Sequence, residues 1–213
     1  MKVRTYMSQG GILPPGFIQK VRQIVGDEHF SQQEGDLISY SLDYWMYGVF
    51  LSQKGDLPAL PSAVISPVST AEIQEIIRCA NEYKVPITPF GGGSGVLGGA
   101  VPLKGSVIVN LQRMSKFLNL DALSLVAEFE SGIMGANLEL ELNGRGYSAG
   151  NIPQSLYCST LGGWISTRAA GQFSTKYGRI EDMVLGMEVV LPDGNLLNIK
   201  PVPRRSVGPS LKD

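Results

Sequence analysis

A chain of 213 residues that is 43% apolar and only 17% charged has ample material for a buried core, and its net charge of −1, with no Lys/Arg cluster, argues against nucleic acid or an anionic membrane as the main partner. One histidine, His29, and two widely separated cysteines, Cys79 and Cys158, exclude a disulfide framework and leave little material for a His-based metal site or a Ser-His-Asp triad. No apolar run approaches the roughly 20 residues that span a bilayer, residues 1–11 lack the apolar core of a signal peptide, and the low charge density points to a surface covered by a ligand, another domain or a partner.

Residues 1–15 read as an arm punctuated by Gly10-Gly11 and Pro14-Pro15. Phe17, Ile18, Val21, Ile24 and Val25 recur at helical spacing, and Gly26 closes that helix. Residues 37–51 are rich in aromatics (Tyr40, Tyr44, Trp45, Tyr47, Phe50), which reads either as an irregular packing segment or as part of a ligand's lining. Residues 63–67 form a short strand. Ser69-Thr70-Ala71-Glu72 then spells a capping box, opening a helix with Ile73, Ile76, Ile77, Ala80 and Tyr83 on one face. That helix ends near Lys84 and residues 86–90 are the next strand, completing a βαβ unit.

The strand runs straight into a glycine-dense stretch, PITPFGGGSGVLGG at residues 86–99. Glycine lets successive backbone N–H groups turn the same way and approach a ligand closely, and such a concavity of donors takes an anion, usually a phosphate. Ser94 adds a hydroxyl. The plainer alternative is a flexible surface loop. Gly93, Gly95 and Gly98 also spell G-x-G-x-x-G, but that fingerprint needs a helix starting within it. Pro102 and Gly105 leave no room for one. The match is therefore one of spelling, and a nicotinamide Rossmann site is rejected.

Strands are expected at 106–111 and, past a turn, at 123–130. A helix follows at 133–142 with Gly144 at its C-cap, then an extended piece at 146–150. Residues 152–171, IPQSLYCSTLGGWISTRAAG, are dominated by small and hydroxyl side chains. A helix beginning near Thr160 would present its first N–H groups to an anion, the alternative being a close-packed buried helix. Residues 183–191 form an apolar strand, Pro192-Asp193-Gly194 turns it, and 196–199 pair back. Residues 200–213 read as a linker that stops without a closing element.

In combination, PITPFGGGSGVLGGA, STLGGWISTRAAG and KYGRIEDMVLGMEVVLPDG resemble the FAD-binding domain of the vanillyl-alcohol-oxidase-type (PCMH-type) flavoproteins. The resemblance implies an α+β fold over residues 61–200 made of two α/β subdomains. The first, 61–115, holds the βαβ unit, and the second, 116–200, a mixed or antiparallel sheet with helices. An arm and helix at 1–60 precede them and a linker at 201–213 follows. It also implies that Pro89, Phe90, Gly91, Gly92, Gly93, Ser94 and Gly95 wrap the FAD pyrophosphate. Pro153, Gln154, Ser155, Leu156, Ser159 and Thr160 would run beside the flavin and ribityl chain. Gly163, Ser166, Thr167, Arg168 and Ala169 would hold the other side, with Val184 near the adenine end.

Some relatives tether FAD through a histidine where this chain has Ser94, so non-covalent FAD is expected. Cys158 matches no tethering motif and is read as a small buried thiol. GGWISTRAAG followed by YGRIEDMV is most similar to alkyl-dihydroxyacetone-phosphate synthase, with the glycolate oxidase and D-lactate dehydrogenase branch next. The synthase branch implies a covalent flavin–substrate step without net redox, and the dehydrogenase branch a hydride passed from a 2-hydroxy acid. A non-catalytic FAD-binding fragment or subunit is the third reading. The family's cap domain, which supplies substrate contacts and most acid/base groups, is not within these residues, so no catalytic residue is named. A homodimer stays open. The C-terminus is not S-K-L and Lys2-Val3 with Gln9-Gly10 only half-matches an N-terminal peroxisomal signal, so the cytoplasm is expected, or the peroxisome for a eukaryotic synthase relative.

Overall fold

The computed structural model describes residues 11–202, 209, 211 and 212. The expected N-terminal arm up to residue 10 and most of the expected linker lie outside them. The chain divides into two compact units, residues 1–114 and 115–213.

In the first unit, helix α1 (Pro15–Val25) begins on Pro15, whose missing N–H costs nothing in a first turn. It buries Phe17, Val21 and Val25 and stops at Gly26, with φ of +87°. Strand β1 (Phe30–Ser31) and two short helices, α2 (Glu34–Ser39) and α3 (Met46–Gln53), follow before β2 (Ala63–Ile65). The capping box then opens α4 (Thr70–Tyr83). The Ser69 hydroxyl accepts the Glu72 N–H at 3.2 Å, and the Glu72 carboxylate accepts the N–H of Val68 at 2.8 Å, one residue further back than the usual reciprocal bond. α4 packs its buried Ile76, Cys79 and Ala80 into a core shared with Leu13, Phe17, Val21 and Phe30.

Strands β3 (Ile87–Phe90) and β4 (Val107–Asn110) complete a four-stranded sheet of order β1-β2-β4-β3. This corrects the simple βαβ unit, because β2 and β3 are not neighbours. β4 lies between them and runs parallel to both. Val107, Ile108 and Val109 are all buried, and such a continuous apolar strand belongs in a sheet interior covered on both faces. The link from β3 to its parallel neighbour β4 is the glycine-rich loop itself. It contains no helix, although parallel crossovers usually do.

In the second unit β5 (Phe117–Asp121) pairs antiparallel with β6 (Val126–Phe129). The turn was expected where β5 lies. The actual turn carries no Gly or Asn-Gly signal. It is held by Asp121 Oδ1, which accepts the N–H groups of Leu123 at 2.9 Å and Ser124 at 3.2 Å, with Leu125 at a φ of +56°. Helix α5 (Gly135–Asn143) ends at Gly144 as expected, but Gly144 stays right-handed at φ −60° and the left-handed residue is Gly146 at +82°. Then come α6 (Leu161–Thr167), α7 (Ser174–Tyr177), α8 (Ile180–Met183), and the antiparallel pair β7 (Met187–Val190) and β8 (Leu196–Ile199). The strand expected from 183 starts at Met187, because Asp182 accepts the Arg179 N–H at 2.8 Å and closes a helical turn over its first residues. Ile133, Leu138, Leu142, Trp164 and Ile180 form this unit's core.

Candidate functional site

The loop after β3 is bound to the body of the first unit by its carbonyls. The Gly91 carbonyl accepts the Gln112 side-chain amide at 2.7 Å, and the Gly95 carbonyl accepts the Tyr44 N–H at 2.8 Å. Among the described residues all peptide bonds are trans, and in a trans peptide the C=O and the next N–H point opposite ways. Pinning Gly91 and Gly95 therefore turns the N–H groups of Gly92 and Val96 away from the body. Among the described residues the N–H groups of Gly92, Gly93, Ser94, Gly95 and Val96 donate to no protein acceptor. Gly93 sits at φ +66°, and a Cβ there would lie 2.6 Å from the Phe90 ring. The loop is a shaped cradle of donors, which suits a pyrophosphate.

What shapes it is the aromatic segment that the sequence left between two readings. Tyr40 packs edge-on against Phe90, with ring centroids 4.9 Å apart, and Phe90 in turn lies under Gly93. The Tyr40 hydroxyl accepts the Asn110 amide at 2.9 Å. Burial and the nearby Asp36 carboxylate raise its pKa, against the effect of that bond. The Trp45 ring lies 3.2 Å from where a Cβ on Gly98 would stand. A cavity of about 460 Å³ is lined by Tyr40, Asp43, Tyr44, Phe90, Gly92, Gly93 and Gln112. Asp43 and Gln112 are not among the residues expected from the sequence. The only sequence signal for this region was its density of aromatics.

The second set of candidates lies in the second unit. α6 does begin after Thr160, but the expectation that it offers N–H groups to an anion is corrected. Leu161 N–H donates to the Ile133 carbonyl at 3.0 Å, Gly162 N–H to the Ser131 carbonyl at 2.7 Å, and Gly163 N–H to the Thr160 hydroxyl at 3.3 Å. The N–H groups of Leu161, Gly162 and Gly163, the first three residues of the helix, are thus used within the fold. Thr160 and Ser159 are buried. The Ser159 hydroxyl donates to the Ser155 carbonyl at 2.7 Å and accepts the Trp164 indole N–H at 2.6 Å. Leu156, Ala169 and Val184 pack against the core, and Pro153 is buried. Gln154, Ser166, Thr167 and Arg168 are exposed. Ser166 and Thr167 donate back to the Gly162 and Gly163 carbonyls. Cys158 is exposed rather than buried. It lies in a tight turn closed by Ser155 and Ser159, which sends Tyr157 and Cys158 outward while Leu156 packs inward.

The family model for the FAD binding domain matches residues 61–200. The chain belongs to that FAD-binding family. Its FAD-binding domain is of the kind found in flavin oxidoreductases. The FAD-linked oxidoreductase YgcU of Escherichia coli K12 is 34% identical over 201 residues, covering 92% of this chain and 40% of that protein. The alkyldihydroxyacetonephosphate synthase of Caenorhabditis elegans is 37% identical over 163 residues, covering 75% of this chain and 27% of the other. A solved structure of alkyldihydroxyacetonephosphate synthase superposes with a TM-score of 0.91 at 28% identity, over 100% of this chain and 39% of that one. The chain thus spans two-fifths or less of the length of these relatives. Among the described residues no helix is long and apolar enough to cross a membrane, and no His/Cys/Asp/Glu group is arranged to hold a metal ion.

Proposed function

We propose that residues Pro89 to Gly95 hold the pyrophosphate of a non-covalently bound FAD, and that the chain is the cofactor-binding part of a flavoenzyme. The observation that carries this is the contrast between two candidate anion sites. The N–H groups of residues 92–96 donate to no protein acceptor while the Gly91 and Gly95 carbonyls are pinned, whereas the N–H groups of residues 161–163 are consumed internally. The flavin side is assigned to Gln154, Ser166, Thr167 and Arg168, the members of the second set that stay exposed. Pro153, Ser155, Leu156, Ser159, Thr160, Gly163, Ala169 and Val184 support it from behind. Bound FAD supplies the electron-accepting or carbon-binding flavin ring, and the protein orients it.

The resemblance to the Caenorhabditis synthase favours chemistry of that type on an alkyl-dihydroxyacetone-phosphate-like substrate. The similarity to the glycolate oxidase subunit GlcD of Bacillus subtilis and the D-lactate dehydrogenase of Anaerostipes hadrus favours a second reading, oxidation of a small 2-hydroxy acid. Two free thiols, Cys79 and Cys158, accord with a reducing, cytoplasmic setting.

The test is the absorption spectrum of the purified protein before and after acid precipitation. A flavin spectrum that moves to the supernatant and is identified as FAD supports the assignment and its non-covalent form. Colour retained in the pellet refutes the non-covalent part. A colourless protein that takes up no added FAD refutes the loop assignment.

A further inference from the structure

Three of the residues that grip the glycine loop lie outside the span matched by the family model. Asp43, Tyr44 and Trp45 hold its later half, from Gly95 to Ala100, while Gln112 holds Gly91. The Asp43 carboxylate is 5% exposed. One oxygen accepts the Trp45 N–H at 2.9 Å, which bends residues 43–45 into a turn. The other lies 3.5 Å from the Ala100 N–H and 3.4 Å from the position of a Cβ on Gly95. The turn aims the Tyr44 N–H at the Gly95 carbonyl and sets the Trp45 ring beside Gly98.

We infer that Asp43 is a positioning residue for the pyrophosphate site, acting through Tyr44 and the loop rather than by touching the cofactor. The inference rests on the pyrophosphate assignment above. Asp43 is an acceptor-only group beside an anion site, so as a ligand it has the wrong sign. Simple electrostatics predicts that removing a negative charge near a bound pyrophosphate tightens binding. Positioning predicts the reverse, because without the carboxylate the turn at 43–45 relaxes, the Gly95 carbonyl loses its fixed donor, and the loop's N–H groups no longer converge.

The experiment compares binding of FAD, of ADP (the pyrophosphate without the flavin) and of riboflavin (the flavin without it) to the full chain and its Asp43→Ala and Asp43→Asn variants. Asp43→Ala is expected to weaken FAD and ADP alike by about tenfold, the equivalent of one misaligned charge-assisted hydrogen bond, with riboflavin unchanged. Asp43→Asn keeps an acceptor for the Trp45 N–H but brings an NH₂ toward the Ala100 N–H, so a smaller loss of roughly threefold is expected. FAD and ADP affinities equal to or tighter than wild type overturn the inference, as does a loss shared equally by riboflavin. Should Asp43→Ala fail to fold, Asp43→Asn decides by the same criterion. Gly93→Ala separates the two levels of the argument. If it weakens FAD while the Asp43 variants do not, the loop assignment stands and this inference falls. If none of the three weakens FAD, the loop assignment falls.

Discussion

Substituting Gly93 by alanine tests the loop most directly. The residue sits at φ +66°, where an L-residue costs about 1–2 kcal/mol relative to glycine. Its new Cβ would stand 2.6 Å from the tip of the Phe90 ring and 3.2 Å from a neighbouring ring carbon. Phe90 is buried and held edge-on by Tyr40, so the ring cannot swing clear and overpacking adds about 1–3 kcal/mol. The less costly relaxation is for the loop to lift off Phe90, which disperses its N–H groups. Losing one hydrogen bond to a charged group costs about 1.5–3 kcal/mol, or roughly 10- to 150-fold in the dissociation constant for FAD. Gly99→Ala is the control, since nothing lies within 4 Å of its Cβ position and its φ is unrestricted. The assay is titration of apoprotein with FAD by flavin fluorescence, alongside the melting temperature of each apoprotein. Gly93→Ala is expected to bind at least tenfold more weakly while Gly99→Ala stays within about twofold. Equal affinity for both variants and wild type would refute the reasoning, whatever happens to the melting temperatures.

Ser159→Ala removes the acceptor of a buried indole N–H and should destabilise the protein by about 1–3 kcal/mol, measured by urea unfolding of the apoprotein. Gly135→Ala should be more damaging, about 3 kcal/mol or above and seen as loss of soluble protein, because its Cβ would stand 2.2 Å from the buried Trp164 ring and 2.8 Å from the Leu156 carbonyl. With a thiol reagent, Cys158 should react in the native protein and Cys79 only after denaturation, since Cys79 is buried and burial raises its thiol pKa. Two fast-reacting thiols would contradict the placement. Tyr40 makes a pH prediction. Its folded pKa is raised above 10, so its contribution to stability is complete below the unfolded pKa of about 10 and is lost as pH rises through the folded value. Stability measured from pH 8 to 11 should therefore fall more steeply for wild type than for Tyr40→Phe.

Much of the loop's form was legible in the chain because it is written locally. A glycine run straight after an apolar strand, with Pro102 and Gly105 forbidding a helix, describes a helix-free loop in terms of backbone freedom alone. Ser69 and Glu72 announce α4, and Pro192-Asp193-Gly194 announces the last turn, for the same reason. The turn at 121–125 escaped because its one residue-type signal is a lone Asp121, with no Gly, Pro or Asn beside it, and its left-handed position is filled by a leucine. Tertiary structure decided the rest, through contacts between residues far apart in sequence. The insertion of β4 between β2 and β3 depends on which strand is best buried on both faces. The closure of the α6 N-terminus depends on the Ser131 and Ile133 carbonyls, which lie some thirty residues upstream in a separate turn. The grip of Asp43, Tyr44 and Trp45 on a loop about fifty residues away appears in the sequence only as aromatic density. Local backbone chemistry thus named the loop, while long-range packing chose which of two plausible anion sites kept its donors free.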